Sequence, residues 1–240
     1  MSFRIIITLF IVFALKLSEQ RSIAQEWIVA GTVAGAGIAA WHYDENIQWF
    51  VRENNYQAIE NIGKYALEPL TGGIATMPLL AGAYYYGYKK ENSVITEFAV
   101  DGAKAFIIAR TISYIPKYLL HRERPESQEN LNKNAWHGPS FKSDHTSFPS
   151  GHAASAFALA TIAAYKFNEY RWVAPFSYSL AGLASFSRVY RDKHWMSDIL
   201  AGCIIGLLTG SLINNLPEKF VIIPSASDTT AGISLIYVVR

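Results

Sequence analysis

Polar clusters in the second half of the chain alternate with apolar segments, and this alternation constrains the fold more than any other feature. Four segments have the length and composition of helices, at residues 93–120, 152–167, 172–190 and 194–214. The polar clusters fall at the end of the first, the start of the second, the end of the third and the start of the last. Successive helices of an up-and-down bundle run in opposite directions, so these four positions meet at one end. The sequence therefore predicts an all-α helical bundle with a site at one end.

The third cluster, residues 187–198, contains a histidine and a carboxylate four residues apart, His194 and Asp198. On a helix these two residues would share one face. The carboxylate would accept the Nδ1–H of the imidazole, which fixes the tautomer and leaves the Nε2 lone pair free for attack. An ordinary surface pair on a helix has the same spacing, so this pair alone is compatible with either interpretation.

The second cluster, residues 149–152, reads Pro-Ser-Gly-His and precedes an apolar helical run. Ser150 is a good N-cap, and the free N–H groups at a helix start bind anions. Gly151 lets the backbone approach a phosphate oxygen, because it has no Cβ. His152, in the first turn, can reach the oxygen of a departing alcohol. A helix start after a proline turn is the simpler interpretation of these four residues alone.

The first cluster, residues 117–125, supplies cations at the predicted end of a helix that Pro125 would stop. Lys117 and Arg124, joined by Arg188 from the third cluster, could surround the oxygens of a five-coordinate phosphorus. Arginine offers a planar fork of donors for this purpose, and lysine a point charge. A solvated basic loop is the usual alternative for such residues. Together, the clusters predict a site that holds a phosphate and attacks its phosphorus.

In this order and spacing, the clusters resemble the type 2 phosphatidic acid phosphatase superfamily, which also contains the vanadium haloperoxidases and the bacterial class A acid phosphatases. The family pattern is K-x6-RP, then PSGH, then SR-x5-H-x3-D, and the chain matches it at every specified position. The resemblance covers roughly the second half of the chain. The matching residues are Lys117, Arg124, Pro125, residues 149–152, Ser187, Arg188, His194 and Asp198.

The resemblance implies a metal-independent phosphoric ester hydrolase. By this resemblance His194 attacks phosphorus to give a phosphohistidine, Asp198 stabilises the imidazolium, and His152 protonates the leaving alkoxide. No cofactor or metal is expected, because fixed cations neutralise the phosphate, and vanadate is expected to inhibit as a phosphorus mimic. The expected phosphate-binding residues are Lys117, Arg124, Ser150, Gly151 and Arg188.

The substrate predicted from these motifs is a phosphomonoester or a diphosphate, and a phosphorylated lipid suits a site beside a membrane. The motifs recognise the phosphate and not the rest of the molecule. Three other enzymes remain compatible with them: a haloperoxidase that uses vanadate as its cofactor, a lipid phosphotransferase, and a soluble periplasmic acid phosphatase. A non-catalytic envelope protein is the simplest rival, although every proposed catalytic position is filled.

Composition narrows the class of protein further. Hydrophobic residues make up 51% and charged residues 17% of the 240 residues, which is apolar for a soluble domain and polar for a fully embedded one. The net charge of +2 gives no indication of a nucleic-acid partner. Cys203 is the single cysteine, which excludes an internal disulfide and a thiolate metal cluster. The oligomeric state is left open.

The N-terminus resembles an export signal, with Arg4, an apolar run at 5–15 and small residues before a cleavage point after Ala24. The predicted organisation is a signal peptide at 1–24, a helical phosphatase domain at 25–216 and a short extended tail at 217–240. Export to a bacterial-type cell envelope follows, and membrane association is favoured over a soluble periplasmic protein. A cluster of tyrosines at 84–88 followed by lysines is typical of a membrane interface. Which side of the membrane the site faces is left open.

Three further features carry weaker predictions. Residues 42–65 are expected to form a separate surface helix, with Asp44 and Glu45 near its start and no part in a site. The polar loop at 121–148 is expected to cover the active site, and its histidines, His137 and His145, are interpreted as bystanders. Glycines at 202, 206 and 210 predict a helix face that packs closely against a neighbour.

Overall fold

The computed structural model describes residues 23–216, 220–227 and 230–237, with side chains described from residue 31 to residue 216. Residues 1–22, which hold almost all of the predicted signal peptide, lie outside the described residues, and that prediction stays a prediction. The main helices are α1 (Ile23–Glu53), α2 (Gln57–Ile62), α3 (Glu68–Gly72), α4 (Thr76–Lys89), α5 (Ser93–Leu120), α6 (Gly151–Lys166), α7 (Val173–Tyr190) and α8 (Met196–Asn215). A π-helical turn, Gly63–Leu67, joins α2 to α3, and a 3-10 turn, Pro125–Ser127, follows α5.

The bundle is built around the contact between α6 and α8. A Cβ placed on Gly202 would lie 2.3 Å from the Ser150 carbonyl oxygen, and one on Gly206 would lie 2.4 Å from that of Ala154. Only glycine permits backbones this close. The predicted packing face is confirmed, and it presses the first turn of α8 against the N-terminus of α6. Cys203 is buried in the same core, beside Phe157, Tyr178 and Leu207.

The prediction of a separate surface helix at 42–65 is wrong in its boundaries and in its role. Helix α1 continues from Ile23 to Glu53 because no proline or turn residue interrupts it, and α2 begins only at Gln57. Asp44 therefore lies inside a long helix, not near the start of one. It is 1% exposed, and its carboxylate is paired with Arg122. This acid belongs to the interior of the bundle.

The predicted end of α5 at residue 120 agrees with the structure, whereas the predicted start of the last helix at residue 194 does not. Helix α5 ends at Leu120, before Pro125, because His121 adopts a left-handed conformation with φ of 46°. Residues from Arg122 onward therefore leave the helix as an extended segment. Helix α8 begins at Met196, so His194 lies in the preceding turn and does not share a helical face with Asp198. The two residues meet because the extended Trp195 turns the chain back toward the helix start.

The C-terminal tail forms a two-stranded antiparallel hairpin. Strand β1 (Phe220–Ser227) pairs with β2 (Thr230–Tyr237), with Phe220 opposite Tyr237 and Ser227 opposite Thr230. Both strands lie within the tail predicted to be extended at 217–240, and their pairing into a hairpin was not predicted. The prediction of a helical bundle with a short extended tail is confirmed.

Among the described residues, one helix, Met196–Asn215, is long and apolar enough to cross a membrane, although 61% of its apolar window is buried within the bundle. A helix of this kind also occurs in the cores of soluble proteins, so it is weak evidence alone. The outer surface of the bundle adds a second observation. Large apolar side chains are exposed over several helices, among them Ile38 (72%), Ile74 (84%) and Leu183 (62%). Exposed apolar surface of this extent is typical of a contact with lipid or protein.

Candidate active site

The helix ends enclose a cavity of about 290 Å³. Helix α5, the loop that follows it, the N-terminus of α6 and the turn before α8 all contribute to its wall. Among the residues predicted from sequence, those that line the cavity are Lys117, Arg124, Gly151, His152 and His194. The remaining predicted residues, Ser150, Arg188 and Asp198, are buried around it. The bundle topology thus gathers all three clusters, as expected.

His194 is 2% exposed, and its Nδ1 lies 3.6 Å from Oδ2 of Asp198. This distance suits an ion pair and is somewhat too long for a hydrogen bond. Catalytic hydrogen bonds are often long before substrate binds and shorten in the complex. Burial lowers the pKa of His194 to about 3, opposed by Asp198 and reinforced by the positive charges of Lys117 and Arg188. The imidazole is therefore neutral at pH 7, as a nucleophile must be.

Asp198 is held by donors on both of its oxygens. Its Oδ1 accepts from Nη1 of Arg122 at 2.6 Å, and its Oδ2 accepts from Ser147 Oγ at 2.5 Å and from the Trp195 backbone N–H at 2.9 Å. Burial by itself would raise the pKa of this carboxyl. The charge of Arg122, the nearby His194 and the hydrogen bond from Ser147 outweigh burial and bring the pKa to about 2. Asp198 is thus a fixed anion behind His194.

Arg122 links this anion to helix α1. Its Nη2 donates to Oδ2 of Asp44 at 2.8 Å, while its Nη1 donates to Asp198. The guanidinium carbon lies 5.0 Å from the Trp136 ring and 5.1 Å from the Trp195 ring, a cation–π arrangement on both sides. A single buried cation therefore bridges two buried carboxylates, one of them from a helix outside the motif region.

Sequence reasoning missed Arg122, Asp44 and Ser147. Arg122 lies between two motif residues, and a basic residue in a polar loop gives no sign that it will be buried. Asp44 lies in a polar stretch beside Glu45, so its sequence surroundings do not show that it is buried with a partner. The missing information was the identity of that partner, which lies 78 residues away in sequence.

Ser150 caps helix α6 and anchors it to α8. Its Oγ accepts from the Ala153 N–H at 3.4 Å, and its own N–H donates to the Asp198 carbonyl at 3.0 Å. The next residue, Gly151, lines the cavity, and a Cβ there would lie 2.9 Å from Ser113 Oγ. The helix start therefore presents its backbone to the cavity without a side chain in the way, which suits an anion.

The cations of the first cluster are fixed by the loop that follows them. Nζ of Lys117 donates to the Thr146 carbonyl at 2.6 Å and lies 3.4 Å from the carbonyl of Ser147. Burial, opposed by Asp198 and reinforced by neighbouring arginines, lowers the pKa of Lys117 to about 7. Arg124 is more exposed, and its Nη2 lies 3.5 Å from Thr146 Oγ1. Lys117 and Arg124 are therefore held at the cavity wall, where a bound phosphate could accept hydrogen bonds from both.

Arg188 is paired with a carboxylate that sequence reasoning did not identify. Its Nη1 donates to Glu68 Oε1 at 2.5 Å, and the other oxygen of Glu68 accepts from Arg191. Within the described part of the chain, the Nε of Arg188 is buried and has no hydrogen-bond partner. A buried donor of this kind has unused capacity for an oxyanion. Glu68 orients Arg188 and leaves this donor free.

His152 lines the cavity from the first turn of α6. Burial is the largest influence on it, followed by the positive charges of Arg188 and Arg110, and together they lower its pKa to about 2. The imidazole is therefore neutral at pH 7. A bound phosphate dianion would offset those positive charges and raise the pKa of His152. Protonation of this residue is thereby linked to occupation of the cavity by an anion.

Comparison with known proteins agrees with this geometry. The sequence pattern of the PAP2 superfamily matches residues 99–222, which include all three clusters. A lipid A 1-phosphatase of Porphyromonas gingivalis is 28% identical over 128 residues, 53% of this chain and 25% of that protein. A lipid A 4'-phosphatase of Bacteroides thetaiotaomicron is 29% identical over 168 residues, 65% of this chain and 70% of that protein.

The same fold occurs in a solved structure, that of a transmembrane PAP2 type phosphatidylglycerolphosphate phosphatase from Bacillus subtilis. The TM-score is 0.60, the sequence identity is 20%, and the superposition covers 80% of this chain and 93% of that one. The match over residues 99–222 and the shared fold define a class of helical-bundle proteins in which the three clusters meet at one end of the bundle. The chain belongs to the PAP2 superfamily.

Proposed function

We propose that the protein is a lipid phosphate phosphatase that works through a phosphohistidine on His194. The observation that carries this proposal is the buried, neutral His194, backed by the ionised Asp198 and opening into a cavity lined by Lys117 and Arg124. A neutral imidazole beside fixed cations can attack a phosphorus whose oxygens those cations hold. The names of the two relatives, both lipid A phosphatases, support the substrate class.

In the first step, Nε2 of His194 forms a bond to phosphorus as the bond between phosphorus and the leaving alcohol breaks. His152 gives its proton to the departing oxygen, and Asp198 stabilises the positive imidazole. In the second step, water attacks phosphorus, His152 takes a proton from it, and the nitrogen–phosphorus bond breaks to release inorganic phosphate. The developing negative charge on the equatorial oxygens is stabilised by residues already in place, Lys117 and Arg124 among them.

His152 must hold a proton for the first step, although its pKa is low before an anion binds. Binding of the phosphate dianion supplies the missing negative charge beside it. The proton enters with a monoanionic substrate or from solvent as the dianion binds. Substrate binding and protonation of the acid are therefore coupled, and a limb of the pH profile that reports protonation of His152 belongs to the whole site and not to this residue alone.

Membrane association is part of this proposal. The exposed apolar side chains of the bundle support it, as does Phe141 on the loop beside the cavity, which is 99% exposed. A lipid substrate would reach the cavity from a membrane surface while its phosphate enters among the cations. We expect the purified protein to require detergent for solubility and to bind vesicles. Full solubility with no vesicle binding would contradict this part.

The decisive screen compares phosphate release from a panel of lipid phosphates with release from soluble esters. We expect lipid phosphates to be preferred, with His194→Ala inactive on every substrate and His42→Ala, an exposed histidine on α1, unchanged. Release from soluble esters alone would favour a non-specific acid phosphatase. Transfer to an added alcohol in place of water would indicate a phosphotransferase, and halide-dependent peroxidation after vanadate loading a haloperoxidase.

Metal independence belongs to the same proposal, because fixed cations take the place of a divalent ion. We expect hydrolysis to survive exhaustive chelation and vanadate to inhibit it. Complete loss of activity in chelator, restored by magnesium, would contradict the mechanism.

Export is proposed from the N-terminal sequence, with the cavity outside the cytoplasm. Cys203 is buried, so cysteines introduced at the exposed Ser127 or Ser143 can be labelled selectively. An impermeant thiol reagent should label them in intact spheroplasts. Labelling only after the inner membrane is broken would refute an outward-facing site.

A further inference from the structure

The loop after α5 brings together three side chains that commonly bind metals. The ligand atoms of Glu123, His137 and His145 all lie within 4.8 Å of one another. Nε2 of His137 is 3.4 Å from Oε2 of Glu123, and the rings of His137 and His145 are stacked with their centroids 4.2 Å apart. None of the three residues lines the cavity. The proposed phosphatase chemistry does not use them.

Their chemistry selects a class of ion. Two imidazoles and one carboxylate suit zinc and related divalent transition metals, whereas magnesium and calcium prefer all-oxygen sites. A tetrahedral ion with bonds of 2.0–2.1 Å holds neighbouring ligand atoms about 3.4 Å apart. The separation between His137 and Glu123 already has this value. In the structure the His145 ring is stacked on that of His137, so His145 would have to rotate out of this stack to direct a ring nitrogen at the same ion. Three ligands would then be complete, with a fourth position left for water.

The backbone holds two of the three ligands in place. The Glu123 N–H donates to the Ala135 carbonyl, and the Glu123 carbonyl accepts from Trp195 Nε1, both at 2.9 Å. The His137 N–H donates to the His121 carbonyl at 3.1 Å. These bonds flank the short antiparallel bridge between Arg122 and Trp136. Glu123 and His137 are therefore presented from a fixed part of the loop.

His145 comes from the returning part of the loop. Its φ is 48°, a left-handed conformation that is uncommon for a residue with a side chain. The next residue, Thr146, lines the cavity and accepts the hydrogen bond from Lys117. A contact at His145 would therefore restrain a wall of the active site.

We propose that Glu123, His137 and His145 bind a divalent transition-metal ion, zinc by chemical preference, which ties residues 138–146 to the bridge between Arg122 and Trp136. The ion lies outside the cavity and contacts no phosphate. It fastens the loop and leaves the hydrolytic chemistry to the histidines of the cavity. The inference does not depend on the proposed phosphatase activity.

The first test measures binding to the full-length protein in detergent after exhaustive chelation. Zinc is titrated by equilibrium dialysis, and cobalt(II) is added separately to record the visible absorption that a tetrahedral site produces. We expect one zinc ion per chain, a tetrahedral cobalt spectrum, and affinity lowered at least about 10-fold by His137→Ala or His145→Ala. His42→Ala, which removes an exposed histidine elsewhere, is the matched control and should bind as wild type does.

The second test measures restraint of the loop. Lys142 is exposed within the tied segment, so trypsin should cut there, and saturating zinc should slow that cut several-fold in wild type and in His194→Ala. Glu123→Gln keeps the shape of the side chain and should lose the protection. Equal zinc affinity in wild type and the loop variants would overturn the proposal, as would binding lost only in His194→Ala. Unchanged cleavage at Lys142 with zinc bound would overturn the restraint.

Discussion

Replacing Arg122 by methionine tests how the proposed nucleophile, His194, is supported. This residue is 1% exposed and is the cation that bridges Asp44 and Asp198, at 2.8 and 2.6 Å. Its loss leaves two buried carboxylates without their counterion. Breaking a buried ion pair from one side costs about 3–5 kcal/mol, a large fraction of the roughly 5–15 kcal/mol that stabilises a typical domain. We expect a lower free energy of unfolding by that amount, measured by denaturation in detergent.

The loss in free energy of unfolding caused by Arg122→Met should be smaller at lower pH. Burial already raises the pKa of Asp44 above its ordinary value, even with Arg122 beside it. Without Arg122, Asp44 takes up a proton more readily. A carboxyl whose pKa is raised in the folded state destabilises the fold increasingly as the pH rises from its unfolded pKa through its folded pKa. The loss of stability in Arg122→Met should therefore shrink as the pH falls through the raised pKa of Asp44. It should also be smaller in an Asp44→Asn background, with a coupling of about 0.5–3 kcal/mol.

Measurements of activity distinguish a role of Arg122 in positioning Asp198 from a purely structural role. Asp198 loses its main counterion in Arg122→Met, so its pKa rises from about 2 and the acid limb of kcat/KM moves to higher pH. We expect kcat to fall about 10–100-fold, as for groups that orient a metal ligand. Arg122→Lys keeps the positive charge but lacks the paired donors of the guanidinium group. Relative to Arg122→Met, it should restore part of the kcat and part of the shift in the acid limb. A variant that loses stability while its pH profile and kcat stay unchanged would refute the role assigned to Arg122.

Three further predictions concern the cavity itself. In a single turnover, His152→Ala should lower the rate of phosphoryl transfer from an alkyl phosphate by about 10²–10⁴-fold. The rate with p-nitrophenyl phosphate should fall much less, because nitrophenolate leaves without a proton. Equal losses on the two esters would mean that His152 binds phosphate and is not the acid. Gly202→Ala places a Cβ 2.3 Å from the Ser150 carbonyl, so it should destabilise the protein by about 1–3 kcal/mol and raise KM. The matched control, Gly82→Ala, meets nothing within 4 Å and should be neutral or mildly stabilising in the same denaturation assay. The pKa of Lys117 is lowered to about 7, so kcat/KM should fall as the pH rises through that value. In the pH profile of kcat this alkaline limb should lie at higher pH, because bound phosphate raises the pKa of Lys117. Lys117→Arg should remove the limb, and a limb that this substitution leaves in place would belong to another group.

The motif residues were predictable because their spacing is tied to the helix ends. The order of the three clusters along alternating helices was enough to predict that they meet at one end of a bundle. The glycine face of α8 was predictable for a similar reason, since a small residue at every fourth position lines one side of a helix and lets a neighbour approach closely. The predicted end of α5 at residue 120 was accurate, although the left-handed His121 and not Pro125 ends the helix. The start of α8 was placed too early, because the extended Trp195 precedes the helix and the sequence does not show that the chain turns there.

Long-range partners could not be predicted. Asp198 pairs with Arg122, which in turn pairs with Asp44, and Arg188 pairs with Glu68. Only the folded chain brings these partners within reach of the motifs. Each looked like an ordinary helix or loop charge, because sequence alone does not give burial. The same limit applies to the loop histidines, which were interpreted as bystanders until the chain path placed His137 beside Glu123.

The central claim is the covalent bond between His194 and phosphorus. The most direct measurement mixes the full-length protein rapidly with a 32P-labelled phosphate ester, quenches in alkali, and counts label on the protein. Phosphohistidine survives alkali and is cleaved by acid, so its chemistry identifies it. We predict acid-labile label on the peptide that contains His194, more of it in His152→Ala with p-nitrophenyl phosphate, and none in His194→Ala. Label that persists in His194→Ala, or phosphate release from wild type with no labelled protein at any time, would contradict the account.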